Sequence, residues 1–202
     1  MRWLMPRLAG FRAEHPDVQV QVATSHEPVD FARDEADVGF HYGKRVPEGV
    51  GGELLFREVL LPVCTPGLAR DIGLARDLVR AVLLHSVRRP GDWPLWLSAA
   101  GVNGTAIPQE IVLENSTFTW QAAVEGLGVA IAQAAFIADG LKAGQVVAPI
   151  QLPLETAQAY HFVYPQERAA QRKIRLFRSW ILKQAAITRE RDLPRSVGGR
   201  GE

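Results

Sequence analysis

Stretches with the two-residue period of a strand and stretches with the 3.6-residue period of a helix succeed one another along almost the whole chain. That succession constrains the fold most, because strands alternating with helices point to parallel sheets covered by helices. Trp3–Glu14 sets Leu4, Leu8 and Phe11 at helical spacing, with Pro6 placed for a first turn. Val18-Gln19-Val20-Gln21-Val22 alternates strictly and is the clearest strand in the sequence. A short helix is expected over Val29–Asp34, and a strand over Ala36–Tyr42 closed by Gly43. Val46–Gly52 reads as a Pro/Gly loop, and Leu54–Cys64 as an extended apolar segment ended by the turn Thr65-Pro66-Gly67.

Past that turn, short helices and loop are expected over Leu68–Arg80 and a buried strand over Ala81–His85. Helices are expected over Trp93–Ala100 and Ser116–Glu125, stopped by Gly101 and Gly126, with a strand at Glu110–Leu113 between them. Gly128–Ile131 reads as a strand, Gln133–Ala138 as a helix, and Gln145–Ile150 and Ala159–Tyr164 as strands. A long helix follows over Arg168–Ala186, with Ile174, Phe177 and Ile181 on one face. Thr188–Glu202 is polar and glycine-rich and reads as a disordered tail.

Composition removes several functional classes. With 23 basic against 22 acidic residues the formal charge is +1, which argues against a chain built mainly to neutralise nucleic-acid phosphates. The basic residues of Arg168–Arg191 share their helix with an apolar face and read as a solvated surface. The one cysteine, Cys64, can make neither an internal disulfide nor a cysteine-based zinc site, and a reducing cytoplasm is the expected compartment. Met1–Gly10 has no signal-peptide core, and the most apolar stretch, Leu127–Ala138, is too short to span a bilayer.

Candidate sites each carry a structural alternative. Glu114-Asn115-Ser116-Thr117 lies where a strand hands over to a helix. Asn115 or Ser116 can simply cap that helix. The same free N–H groups, with the Ser116 and Thr117 hydroxyls, also suit a carboxylate or small polar ligand. Gly126-Leu127-Gly128 runs helix, glycines, strand, the reverse of the dinucleotide order, so it is a helix stop and a strand start. His15 and His26 lie by turns; His41 and His161 lie within strands, opposite the aromatic faces Phe40/Tyr42 and Tyr160/Phe162, and read as structural. His85 ends a strand, a place suited to a ligand contact. No histidine pair has metal-ligand helical spacing, no G-x-S-x-G elbow occurs, and Cys64 in its apolar setting reads as inert. Trp93 and Trp96 read as packing. No cofactor, metal or catalytic constellation is expected.

Taken in order, these segments resemble the effector domains of LysR-type transcriptional regulators of the glycine-cleavage-activator-like subgroup. The resemblance rests on Trp3–Leu8 with Phe11 and His15-Pro16, on Val29–Arg33 with Ala36–Gly43, and on Leu61–Pro66. It continues through Ser116–Ile131 and through Tyr160–Pro165 with the helix to Trp180, spanning about Arg2 to Ala186. It implies an α/β, two-lobed, periplasmic-binding-protein-like (type 2) fold, with lobe I from 1–64 and 150–187 and lobe II from 65–149. It also implies a small-molecule effector in an interlobe cleft. Matched positions are Tyr42, Gly43, Asn115, Ser116, Thr117 and Tyr160, beside the independently chosen His85. It implies a homodimer joining Leu4, Leu8, Phe11, Val18 and Val20 of one subunit to Phe118, Gln121 and Ala122 of the other. His41 stands where the subgroup usually has Arg.

The family's winged helix-turn-helix, and the strand that opens lobe I, are expected to be missing from this sequence. The expected function is therefore effector sensing without catalysis, and without direct binding of nucleic acid or membrane by this chain. A free-standing cytosolic binding protein of the same fold is the alternative.

Overall fold

The computed structural model describes residues 2–25, 27–33, 35–102 and 109–191. The chain packs as two compact units, Met1–Glu58 with Thr156–Asp192, and Val59–Glu155.

In the first unit, helix α1 (Met5–Glu14) carries Pro6 in its first turn. Phe11, fully buried, meets Phe177 edge-on at 5.0 Å and Trp180 at 5.1 Å on α6 (Arg172–Arg191). Strands β1 (Gly39–Gly43), β6 (Leu154–Pro165) and β2 (Val50–Val63) lie in the order β1-β6-β2. β1 and β6 pair antiparallel from Gly39↔Val163 to Gly43↔Ala159. The even-numbered aromatics Phe40, Tyr42, Tyr160 and Phe162 share one face, and Phe162 lies 6.0 Å from Phe177.

Several sequence expectations fail in this unit for physical reasons. In Val18–Val22, Val18 and Val20 are half-buried and Val22 is exposed, and the segment is not a strand, because no described strand completes its hydrogen bonds. Val29–Arg33 is a turn rather than a helix. Asp30 Oδ1 accepts from the Ala32 N–H at 3.0 Å, a side-chain bond that competes with helix. Asp34 lies outside the described residues. β2 starts at Val50 rather than after the expected loop, since Gly51 has no side chain where the Tyr164 ring lies. α6 runs to Arg191 and absorbs the start of the expected tail: Thr188 is fully buried and accepts the Trp3 indole N–H at 2.8 Å. Residues 192–202 lie outside the described residues.

The second unit orders its strands β2-β5-β3-β4, with β3 (Leu83–Ser86), β4 (Glu110–Leu113) and β5 (Val129–Gln133). β3 is parallel to β4 and β5, but β2 and β5 are antiparallel, as are β1 and β6. The sheets are therefore mixed rather than parallel, because β2 and β6 are crossover strands shared between units. Both faces are covered. Val59, Leu61, Leu84 and Ala130 pack on α4 (Ser116–Val124) and α5 (Ala134–Lys142). Leu60, Cys64, Leu83 and Val129 pack on α3 (Asp92–Ala99) and the 3-10 turn Ala75–Arg80. A short α2 (Pro66–Ala69) follows the crossover. Gln145–Ile150 is not a strand: Val147 bridges Cys64, and Pro149 lacks the N–H a ladder needs.

Candidate functional site

In the second unit the parallel strands β3 and β4 end at Ser86 and Leu113, beside the start of α4. Asn115 is extended, and its Oδ1 accepts from Thr117 N at 2.9 Å and Phe118 N at 3.2 Å. The capping role expected at this position is therefore filled by Asn115. Ser116 instead turns to a small hollow with Ser86 and Thr119, walled by Leu84, Trp93 and Ile131. The Trp93 N–H is held by Leu84 O at 3.0 Å, so the indole is a fixed wall. The Ser86 hydroxyl is buried with no hydrogen-bond partner among the described residues, which is costly unless something else binds it.

Arg89 completes the hollow. Its Nε and Nη2 donate to the two Asp92 oxygens at 2.6 and 2.9 Å, a bidentate clasp that fixes the guanidinium plane. Turned to satisfy its neighbours, the buried Gln133 amide oxygen also accepts from Arg89 Nε at 3.0 Å. Hydroxyls, a fixed guanidinium and the positive end of α4 converge on an apolar floor. In chemical terms such a set is complementary to a small polar or anionic group. His85 and Thr117 do not line this hollow; His85 Nε2 lies 3.5 Å from Glu110 Oε1, and Thr117 is exposed.

In the first unit, Tyr42 and Tyr160 face each other across β1 and β6 with rings 5.0 Å apart. The Tyr42 hydroxyl donates toward the Glu58 carboxylate at 3.0 Å, and Thr156 Oγ1 donates to the same carboxylate at 2.9 Å. Glu58 is only 2% exposed. Gly43 has no side chain where the His41 imidazole lies, and a Cβ there would collide with it. Sequence reasoning passed over Ser86, Arg89, Asp92, Gln133, Glu58 and Thr156. Glu58 and Gln133 left a signal, each a polar side chain inside an apolar run, Leu54–Cys64 and Leu127–Ala138.

The residues named for an interface divide differently. Leu4 and Phe11 are buried within their own unit, and Ala122 within its own. Leu8, Val18 and Val20 are half-buried, Gln121 is exposed, and Phe118 is 51% exposed, unusual for so large an apolar side chain. Cys64 is buried and free, and burial pushes its thiol up to about 11. Among the described residues no group of His, Cys, Asp and Glu could hold a metal ion, and no helix is long and apolar enough to cross a membrane. His26 lies outside the described residues.

Comparison with known proteins gives this geometry a context. The "Glycine cleavage system transcriptional activator" of Escherichia coli K12 is 32% identical over 95% of this chain and 63% of its own length. The "HTH-type transcriptional activator AmpR" of Pseudomonas aeruginosa is 33% identical over 92% of the chain and 62% of its own length. The chain thus spans about 63% of the length of such relatives. The solved effector domain of Pseudomonas aeruginosa AmpR superposes with a TM-score of 0.78 at 32% identity, covering 94% of this chain and 91% of that one. The AmpR effector binding domain of Citrobacter freundii gives 0.76 at 26% identity, covering 91% of each chain. The fold is thus the α/β, two-lobed, periplasmic-binding-protein-like fold of these effector domains. The family model described as "LysR substrate binding domain" matches residues 1–186, and the chain belongs to that family, a domain of LysR-type transcriptional regulators.

Proposed function

We propose that this chain senses a small polar effector and acts by binding rather than by catalysis, inside a cytoplasmic LysR-type regulator. The observation that carries this reading is the hollow at the start of α4, where the Ser86 hydroxyl, without a partner among the described residues, joins Ser116 and the clasped Arg89 around a fixed apolar wall. A carboxylate or comparable polar group supplies the acceptor that Ser86 lacks and gains from the helix N-terminus. Tyr42, Gly43, Asn115, Thr117, Tyr160 and His85 remain candidates for the rest of the ligand. Binding shifts the population of conformers only to the extent that it favours one of them. A homodimer that uses exposed Phe118 and Gln121 carries the change toward DNA-reading elements; this chain by itself does not bind operator DNA.

The test is a thermal-shift screen with amino acids and small carboxylates, followed by calorimetry. A true effector at about 100 times its Kd stabilises by roughly 2.7 kcal/mol. Ser86→Ala and Ser116→Ala weaken that ligand at least about tenfold, the loss of one hydrogen bond to a charged group. No stabilising ligand in the panel, or a ligand held equally by both variants, overturns the assignment. Turnover of the ligand would replace sensing with catalysis.

A further inference from the structure

Two histidines, each unremarkable in the sequence, meet directly across two strands. β1 and β6 place His41 opposite His161, with ring centroids 6.2 Å apart and planes tilted by 36°. Both project from the face opposite Tyr42 and Tyr160. His161 is 6% exposed, and its Nδ1 is buried with no hydrogen-bond partner among the described residues. β1 is an edge strand, and β6 is its sole partner strand among the described residues.

We propose that the His41–His161 pair is a proton-operated latch on β1, the strand that carries Tyr42 and Gly43. With both rings neutral, β1 stays docked on β6. A proton on the pair places charge in a site that offers the buried ring no acceptor, and a second proton sets like charges directly opposite each other.

The surroundings supply little relief. Along β6 the neighbours on this face are Ala159 and Val163, and along β1 they are Gly39 and Gly43. From the turn above, Val29 packs over Gly39, while Asp30 is engaged with the Ala32 N–H, Arg33 is exposed, and Arg168 Nη2 reaches Phe31 O. On β2, Glu53 is turned to Tyr164 and Arg178, Glu58 to Tyr42 and Thr156, and Arg57 is exposed. Burial, and then the charge of His41, hold the His161 imidazole below the ordinary histidine value of 6.5. The unfolded chain therefore binds the proton more readily than the folded one. Stability is fully present above the ordinary histidine range and is lost as pH falls through it toward the lower folded value.

Imidazole proton NMR and amide exchange on the whole chain test the latch, without reference to any effector. His161 titrates below the ordinary range, and His41→Gln moves it upward. Between pH 7.5 and 5, protection of the Gly39–Gly43 amides falls severalfold more than that of edge strand β4, and His41→Gln removes the excess. His41 is half-exposed, so this variant folds even where His161→Gln does not. A His161 titration at the ordinary value, one unmoved by His41→Gln, or equal loss of protection in β1 and β4, overturns the proposal.

Discussion

The two glycines of Gly126-Leu127-Gly128 serve different physical needs, and substitution separates them. Gly126 follows α4 with φ +79, and the turn is closed by Gly126 N to Ala123 O at 3.1 Å and Leu127 N to Ala122 O at 2.9 Å. A Cβ there meets only Thr65 atoms at 3.7 Å, ordinary contact. Gly126→Ala therefore costs only the left-handed backbone, about 1 kcal/mol, and Gly126→Asn less, because Asn tolerates that region. Gly128 has no positive φ, but a Cβ on it collides with Val82 O and lies 3.1 Å from Val82 C. That oxygen is fixed, since it accepts from Val129 N at 2.9 Å. Relief requires β5 to move from the chain entering β3, an overpacking cost of about 2–3 kcal/mol that Asn does not reduce. Urea unfolding reads each cost as a change in midpoint at constant m-value. A Gly128→Ala variant within about 0.5 kcal/mol of wild type, or Gly126→Asn costing more than Gly126→Ala, refutes the reasoning.

Other consequences are as direct. Asn115→Ala lowers stability by about 1 kcal/mol in urea unfolding, whereas Asn115→Asp keeps the cap at neutral pH. Cys64, with its thiol pushed up to about 11, stays unreactive to a thiol-disulfide reagent at pH 8 until the chain is unfolded; fast labelling of the native chain contradicts its burial. Asp77 Oδ2 accepts from Leu74 N at 2.8 Å and Gly73 N at 3.0 Å, which holds its carboxyl below the usual range. Its contribution is full above the ordinary carboxylate value and is lost as pH falls through the lowered one. Asp77→Asn therefore flattens the acid limb of a stability–pH profile.

What the sequence makes legible is what short-range chemistry decides. The helix from Ser116 to Val124 can be read because its cap, Asn115, and its stop, Gly126, lie within one turn of it. Val18–Val22 misleads because alternation specifies a face, whereas a strand also needs a neighbour that no local pattern supplies. Parallel pairing is over-read for the same reason, since the direction of β5 against β2 is set by the path of the chain between them. The candidate site divides likewise. Ser116 is announced by its place at a helix start, but Ser86, Arg89 and Gln133 join it only through tertiary packing. Thr156 reaches Glu58 across 98 residues of sequence.

The unit Val59–Glu155 is continuous in sequence, whereas the other is assembled from Met1–Glu58 and Thr156–Asp192. A ribosome therefore finishes the inner unit first, while α1 and β1 still lack β6 and α6, their partners in the core. Until those arrive, Phe11 lacks Phe177 and Trp180, Trp3 has Phe56 but not Thr188, and the segment Met1–Glu58 is the part most exposed to misassociation. Once the inner unit has folded it shortens the loop that the outer segments must close, so it serves as a template for the discontinuous unit.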